Sequence, residues 1–184
     1  MTIDHTNPAS EMSERDGQTL LWVFVWAELA IFAALISGFM LLSWRDPVNF
    51  AAGRAILSAR IAGLQTVLLL IGGWLAASGL SRADGSFLQR LTLGGAGLAG
   101  LCFALLKLVE YRQEWSAPSM FGPGHFAEAY MLLTGYHAAH VLLLSLLLAA
   151  MAWRANRTLL KGGVTLWHTT VLVWLAIFPA VYLG

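Results

Sequence analysis

The sequence predicts an all-α membrane protein, a polytopic bundle of about five transmembrane helices. Of its 184 residues, 58% are hydrophobic and 11% are charged, and its mean hydropathy is +0.69, which lies far from the mixed usage of water-soluble domains. The apolar residues form long runs, each close to the ~20 residues that a helix needs to cross a bilayer. The runs do not alternate polar with apolar residues, as barrel strands of about 10 residues would.

Short segments that combine charges with helix-breaking residues separate the predicted spans. The spans cover residues 19–43, 60–80, 88–112, 126–153 and 164–183, and the breaks between them contain Pro47, Gly85, Pro118 and Gly163. Residues 1–18 are predicted to form a polar tail, because they lack the basic region that starts a secretory signal. The first run is too long for a cleaved signal, so we expect it to remain as an anchor. Residues 19–184 are therefore predicted to form one membrane domain.

The basic residues predict the orientation of the chain. With five spans, one side holds Arg15, Arg82, Arg90, Arg154, Arg157 and Lys161, and the other side holds Arg45, Arg54, Arg60 and Arg112. Because basic residues concentrate on the cytoplasmic side, this difference favours a cytoplasmic N-terminus and a periplasmic C-terminus in a bacterial inner membrane.

Composition also excludes several classes of function. The formal net charge is +1 and no basic stripe exists, so nucleic acid is not expected as a partner. The single cysteine, Cys102, cannot form an internal disulfide, a thiolate-rich zinc site or a dinuclear copper site. No glycine-rich phosphate loop and no Ser-His-Asp spacing occurs. We therefore predict no catalytic residue and no metal site in this chain.

Two acidic features lie inside the predicted spans. Glu28 stands in the middle of the first run, where a carboxylate costs several kcal/mol unless it is paired, neutral or hydrated. It either forms a hydrogen bond to a neighbouring helix or serves as a contact to lipid or to a partner subunit.

Lys107 and Glu110 are three residues apart on one helix face. They form either a self-neutralising pair or a contact to Glu28, water or lipid.

Three histidines raise the question of heme or metal binding. His137 and His140 are three residues apart in the fourth span, and His168 lies near the start of the last span. Helical bundles can hold heme or metal with such residues. The alternative is hydrogen bonding between helices and contact with lipid headgroups.

Four local patterns, in order along the chain, resemble cytochrome c oxidase subunit III of the heme-copper oxidase superfamily. They are WVFVWAELAIF at 22–32, LLKLVEY at 105–111, TGYHAAHV at 134–141 and WHTTVLVW at 167–174. The resemblance extends over nearly the whole chain from Leu20 onward. In the same order, the family patterns that these segments resemble are an aromatic-rich helix with an embedded glutamate, a Glu-Tyr helix end, a Thr-Gly-Phe-His-Gly-x-His-Val motif and a Trp-His-x-x-Asp-x-x-Trp motif.

The chain departs from the family pattern in three places. Its five predicted spans match the last five of the seven helices of the long form, so we expect the first two to be missing. Val171 stands where the family has an aspartate, and Lys107 stands where an uncharged polar residue is expected. The ending IFPAVYL at 177–183 is more similar to the branch associated with bacterial nitric oxide reductases.

The resemblance implies an accessory subunit that holds no heme or copper of its own. Such a subunit packs against the catalytic subunit of an oxidase or a nitric oxide reductase, which carries the heme and copper, and holds phospholipid in a cleft. Matched by motif, Glu28 and His140 are the first candidates for contact with lipid or a subunit, followed by Glu110, Lys107, His137 and His168. Two other classes remain open: a b-type cytochrome that uses the histidines, and a small transporter that uses Glu28 and Lys107.

Overall fold

The computed structural model of the protein describes residues 8–115, 124–153 and 157–183. Within them the chain forms α1 Pro8–Arg45, α2 Pro47–Ile56, α3 Ala59–Leu80, α4 Phe87–Trp115, α5 Phe126–Met151, α6 Arg157–Phe178 and a terminal π-helical turn, Pro179–Leu183. Five segments are long and apolar enough to cross a membrane: 15–45, 59–80, 87–114, 126–151 and 157–183. The predicted all-α bundle with five candidate spans is confirmed.

The first helix begins earlier than the sequence predicts. Residues 8–18, predicted as part of a polar tail, continue the first span as one helix that starts at Pro8. Proline suits the first turn of a helix, where its missing N–H would have no partner. Glutamate, arginine and glutamine are good helix formers, so their polarity does not end the helix. Residues 1–7 of the predicted tail lie outside the described part of the chain.

An additional helix, α2, lies in the segment predicted as a break between the first two spans. The Asp46 side chain accepts a hydrogen bond from the backbone N–H of Asn49 at 3.4 Å, and Pro47 occupies the first turn. A capping acid followed by proline is a helix start signal. The sequence analysis interpreted these residues as a break alone and so missed this helix.

The last helix begins at Arg157, seven residues before the predicted 164. Gly162 and Gly163 were interpreted as a break, but they lie inside α6. A Cβ atom at Gly163 would lie 3.0 Å from the sulfur of Met151 on α5. Glycine here permits close helix packing, which is its common use in membrane bundles. The predicted break at 116–124 and residues 154–156 of the last break lie outside the described residues, apart from Gly124.

The helices α3, α4, α5 and α6 pack as a four-helix core, and α1 packs against α5 and α6. Only 17% of the most apolar stretch of α1 is buried, against 44% in the last span, so α1 lies at the periphery. Gly100 on α4 lies so close to its neighbours that a Cβ there would collide with Ser145 and Trp167. This close approach places α4 and α5 side by side and positions their polar residues.

Candidate functional site

Glu28 and His140 form a hydrogen bond that joins α1 to α5. The Nε2 atom of His140 lies 2.7 Å from Oε1 of Glu28, and its Nδ1 atom lies 2.8 Å from the carbonyl oxygen of Tyr136. A carbonyl accepts only, so Nδ1 donates and one further proton lies between Nε2 and Oε1. The pair is thus electrically neutral as a unit, which reduces the cost of placing an acid in the membrane.

A small cavity of about 190 Å³ adjoins this pair. Its walls come from α1, α5 and α6, and it is lined by Phe24, Glu28, His140, Leu143, Leu144, Leu147, Leu166, Thr169 and Thr170. The Glu28 and His140 side chains remain 12% and 18% exposed. Apolar walls beside an accessible polar pair suit an acyl chain with an ester group, or an apolar side chain of another protein.

Lys107 and Glu110 form the close ion pair that their spacing predicts. The Lys107 Nζ atom lies 3.0 Å from Oε2 of Glu110, and the two side chains are 1% and 2% exposed. The suggested contact with Glu28 is wrong, because Glu28 is bonded to His140. The pair lies toward the membrane side on which α4 ends.

Four further residues, on three elements besides α4, complete a polar cluster around this pair. Lys107 also donates to the hydroxyl groups of Tyr130 at 2.9 Å and Tyr182 at 2.5 Å. Glu110 accepts from Gln65 Nε2 at 3.1 Å and from the Tyr182 hydroxyl at 2.8 Å. The Tyr130 hydroxyl donates to Glu114 at 3.1 Å.

The cluster therefore connects α3, α4, α5 and the terminal turn through charged hydrogen bonds. We name Lys107, Glu110, Glu114, Gln65, Tyr130 and Tyr182 the Lys107 cluster. Two of its buried oxygens, Oε1 of Gln65 and Oε2 of Glu114, have no hydrogen-bond partner. Hydrogen bonds between membrane helices contribute about 0.6 kcal/mol each on average, so the geometry favours cohesion between helices.

Unlike His140, His137 lies fully inside the apolar core. It is fully buried between the rings of Trp174 at 5.2 Å and of Phe103 and Phe32 at 5.7 and 5.8 Å. Neither ring nitrogen has a hydrogen-bond partner. The aromatic rings enclose the imidazole on several sides, so the approach of a heme face is obstructed.

His168 belongs to another surface, between α1 and α6. Its Nδ1 lies 2.8 Å from the carbonyl oxygen of Val164, and the residue lines a groove with Trp22 and Trp26. The three histidines thus lie in three different environments: beside Glu28, in the aromatic core and in the groove between α1 and α6. Among the described residues, no three His, Cys, Asp or Glu side chains come together in a way that could hold a metal ion.

Sequence reasoning missed four members of the Lys107 cluster. Glu114 lies one turn beyond Glu110, a spacing that places both on one helix face, but the predicted span ended at 112. Gln65 is an amide inside the second span and could have been noticed as a polar group needing a partner. Tyr130 and Tyr182 are 52 residues apart, and no local pattern connects them.

Comparison with known proteins gives several related sequences, although no family model matches the chain. Cytochrome c oxidase subunit 3 of Synechocystis sp. is 25% identical over 173 residues, which cover 88% of this chain and 72% of that protein. Subunit 3 of Bacillus sp. strain PS3 is also 25% identical over 173 residues, covering 88% of this chain and 83% of that protein. The heme-copper oxidase subunit I+III of Aeropyrum pernix is 24% identical over 183 residues, covering 90% of this chain and 22% of that longer protein.

Proposed function

Because the chain belongs to the heme-copper oxidase subunit III family, we propose that it is a non-catalytic accessory subunit of a respiratory oxidoreductase. It packs against the catalytic subunit in a bacterial inner membrane, and it supports the stability and activity of that subunit. The heme and copper belong to the catalytic partner. This chain supplies helix packing and bound phospholipid.

The observation that carries the proposal is the Glu28–His140 hydrogen bond of 2.7 Å. Its two residues come from two separate motifs of the family resemblance, 112 residues apart. They meet beside a cavity that opens between α1 and the core. A neutral acid–imidazole pair in an otherwise apolar wall can bind a lipid ester or a polar group of a partner without a buried net charge.

The outer surface of α1 supports a role within a larger assembly. Phe24 and Trp26 are 50% and 68% exposed in the middle of a span, and α1 contacts the core on one side. In a membrane, such a surface is covered by lipid or by another helix. Both coverings are consistent with an accessory subunit.

The partner reduces either oxygen or nitric oxide. The relatives named above are oxidase subunits, which favours oxygen. The ending at 177–183 favours the nitric oxide reductase branch. The catalytic subunit recovered with the chain decides between them.

The test is recovery of the partner with the tagged full chain in mild detergent. We expect the wild type to bring down a heme-copper catalytic subunit together with phospholipid. Glu28→Leu should reduce both, because it removes the acid that bonds His140. Glu128→Leu is the matched control, because Glu128 forms an acid–imidazole pair with His125 at the same distance of 2.7 Å but is 77% exposed.

Failure to recover a catalytic subunit under any lipid condition would contradict the proposal. A heme absorption band in the isolated chain would support the b-type cytochrome instead. Substrate uptake or proton leakage in liposomes that contain this chain alone would support the transporter.

A further inference from the structure

The Lys107 cluster contains more acid than base. It has one ammonium group, on Lys107, and two carboxyl groups, on Glu110 and Glu114, and these residues are 1%, 1% and 4% exposed. The ion pairs between described residues include one for Glu110, with Lys107, and none for Glu114. If both carboxyl groups were ionised, the cluster would hold a buried negative charge without a counter-ion, which is strongly unfavourable. Neutrality requires one of the two to hold a proton.

The hydrogen bonds show which acid is suited to hold it. Glu110 accepts three of them, including one from the Lys107 ammonium at 3.0 Å. Glu114 accepts one, from the Tyr130 hydroxyl to Oε1 at 3.1 Å, and its Oε2 atom has no donor among the described residues. Because donors favour the ionised form of a carboxyl group, Glu110 keeps the charge and Glu114 takes the proton.

A proton on Oε2 of Glu114 has acceptors within reach. Glu110 lies four residues earlier and therefore on the same helix face. The Gln65 amide bonds Glu110 through Nε2 at 3.1 Å, and its Oε1 atom is buried without a partner in the described part of the chain. Protonation thus turns an oxygen that lacks a donor into a donor beside two acceptors.

Glu114 also lies at the end of the cluster where water is closest. The candidate span ends at this residue, whereas Lys107 is seven residues deeper, or about 10 Å along the helix. The titratable groups around it are Lys107, Glu110 and Tyr111 on its own helix, Tyr130 on α5 and Tyr182 on the terminal turn, and α3 adds the uncharged amide of Gln65. The proton can therefore exchange with water at the membrane margin.

The same cluster holds the terminal turn, Pro179–Leu183, against the helices. The Tyr182 hydroxyl donates to Glu110 at 2.8 Å and accepts a hydrogen bond from Lys107. A second carboxylate beside Glu110 would compete for Lys107 and draw water into the cluster, and Tyr182 would then lose its partners to water. Loss of the proton should therefore loosen the turn.

We propose that Glu114 is a proton-binding site and that its bound proton keeps the terminal turn attached to the bundle. On release, the O–H bond of the acid breaks, the proton passes to water and the electron pair stays on Oε2; uptake reverses these steps. The neutral acid belongs to the attached form, so the turn is held at low pH and released as the pH rises. Because the cluster lies within one chain, neither the site nor its test depends on a catalytic partner.

The first experiment detects the proton by infrared difference spectroscopy of the purified full chain. At neutral pH, the wild type minus Glu114→Gln should show the carbonyl band of one protonated carboxylic acid, and raising the pH should abolish it reversibly. Glu110→Gln should also lack this band although Glu114 is present, because Glu114 then ionises and pairs with Lys107. Glu128→Gln is the matched control, since Glu128 is 77% exposed, and it should keep the band.

The second experiment measures attachment of the terminal turn. Val181, which is fully buried, is replaced by cysteine in a Cys102→Ala background, and its reaction with a water-soluble maleimide is followed against pH. Glu114→Gln in the same background imitates the neutral acid at every pH, so the ratio of the two rates removes the pH dependence of the thiol itself. The ratio should rise at least about tenfold as the infrared band disappears, since an unpaired buried carboxylate strongly favours the open form.

Three results would overturn the proposal. The first is an infrared spectrum of Glu114→Gln identical to that of the wild type at neutral pH, which would show that Glu114 is ionised. The second is a band that persists in Glu110→Gln, which would show that the excess of acid is not its cause. The third is a flat ratio of thiol reactivities, which would show that the proton does not hold the turn.

Discussion

Replacing Lys107 by methionine should destabilise the bundle far more than the loss of ordinary hydrogen bonds would. Methionine has a similar length and no charge, so the change removes the ammonium group and keeps most of the volume. Glu110 then remains 2% exposed without its cation. It keeps the hydrogen bonds from Gln65 and Tyr182.

The magnitude follows from this imbalance of charge. Hydrogen bonds between membrane helices contribute about 0.6 kcal/mol on average, so the two bonds from Lys107 to Tyr130 and Tyr182 account for roughly 1 kcal/mol. Breaking a buried ion pair by removing one partner costs about 3–5 kcal/mol. Because Glu110 keeps two other donors, we expect a loss of about 3 kcal/mol, at the lower end of that range.

The assay is a double-mutant cycle on the free energy of unfolding. The single variants Lys107→Met and Glu110→Gln and the double variant are unfolded in mixed micelles by increasing denaturing detergent, and tryptophan fluorescence reports the transition. The double variant should recover part of the loss, with a coupling of about 1–3 kcal/mol. A loss below about 1 kcal/mol for Lys107→Met, or strictly additive changes, would show that the cluster is hydrated and the reasoning wrong.

Three further predictions concern single positions. Glu28→Gln should leave the yield of the complex nearly unchanged because an amide can still bond His140, whereas Glu28→Lys should reduce it by placing an unpaired cation there; equal yields for both would indicate a hydrated site. His137→Phe should change the unfolding free energy by less than about 1 kcal/mol or raise it, because it removes buried nitrogens without partners; a large loss in detergent unfolding would show an undetected partner. Gly100→Leu should prevent assembly of the bundle, since even a Cβ meets the side chains of two neighbouring helices, while Gly94→Leu has open space and should be tolerated; comparison of folded yields by size-exclusion chromatography checks both.

The helical class could be predicted because it depends on local chemistry. Each run of apolar residues must hide its backbone polar groups from lipid within the same segment, so its length and composition suffice. The secondary structure of polar, proline and glycine residues near the ends of the apolar runs was harder to predict. Pro8 and Pro47 begin helices here, and the Gly162–Gly163 pair lies inside one.

The Lys107–Glu110 pair could also be predicted, since residues three apart on a helix are neighbours. Its environment could not, because Gln65 and Tyr182 approach it from other helices. The partner of Glu28 was equally inaccessible to local reasoning. His140 was a candidate in its own right, but the contact between the two depends on how α1 packs against α5.

The sequence by itself determined that this chain forms about five apolar helices and that a few ionisable groups must be satisfied within them. It also carried the family motifs, because those are local patterns of residues. Only the tertiary structure decided that His140 satisfies Glu28 and that His137 faces an aromatic core. The reason is that a helix fixes the face on which a side chain lies, whereas the packing of several helices fixes which faces meet.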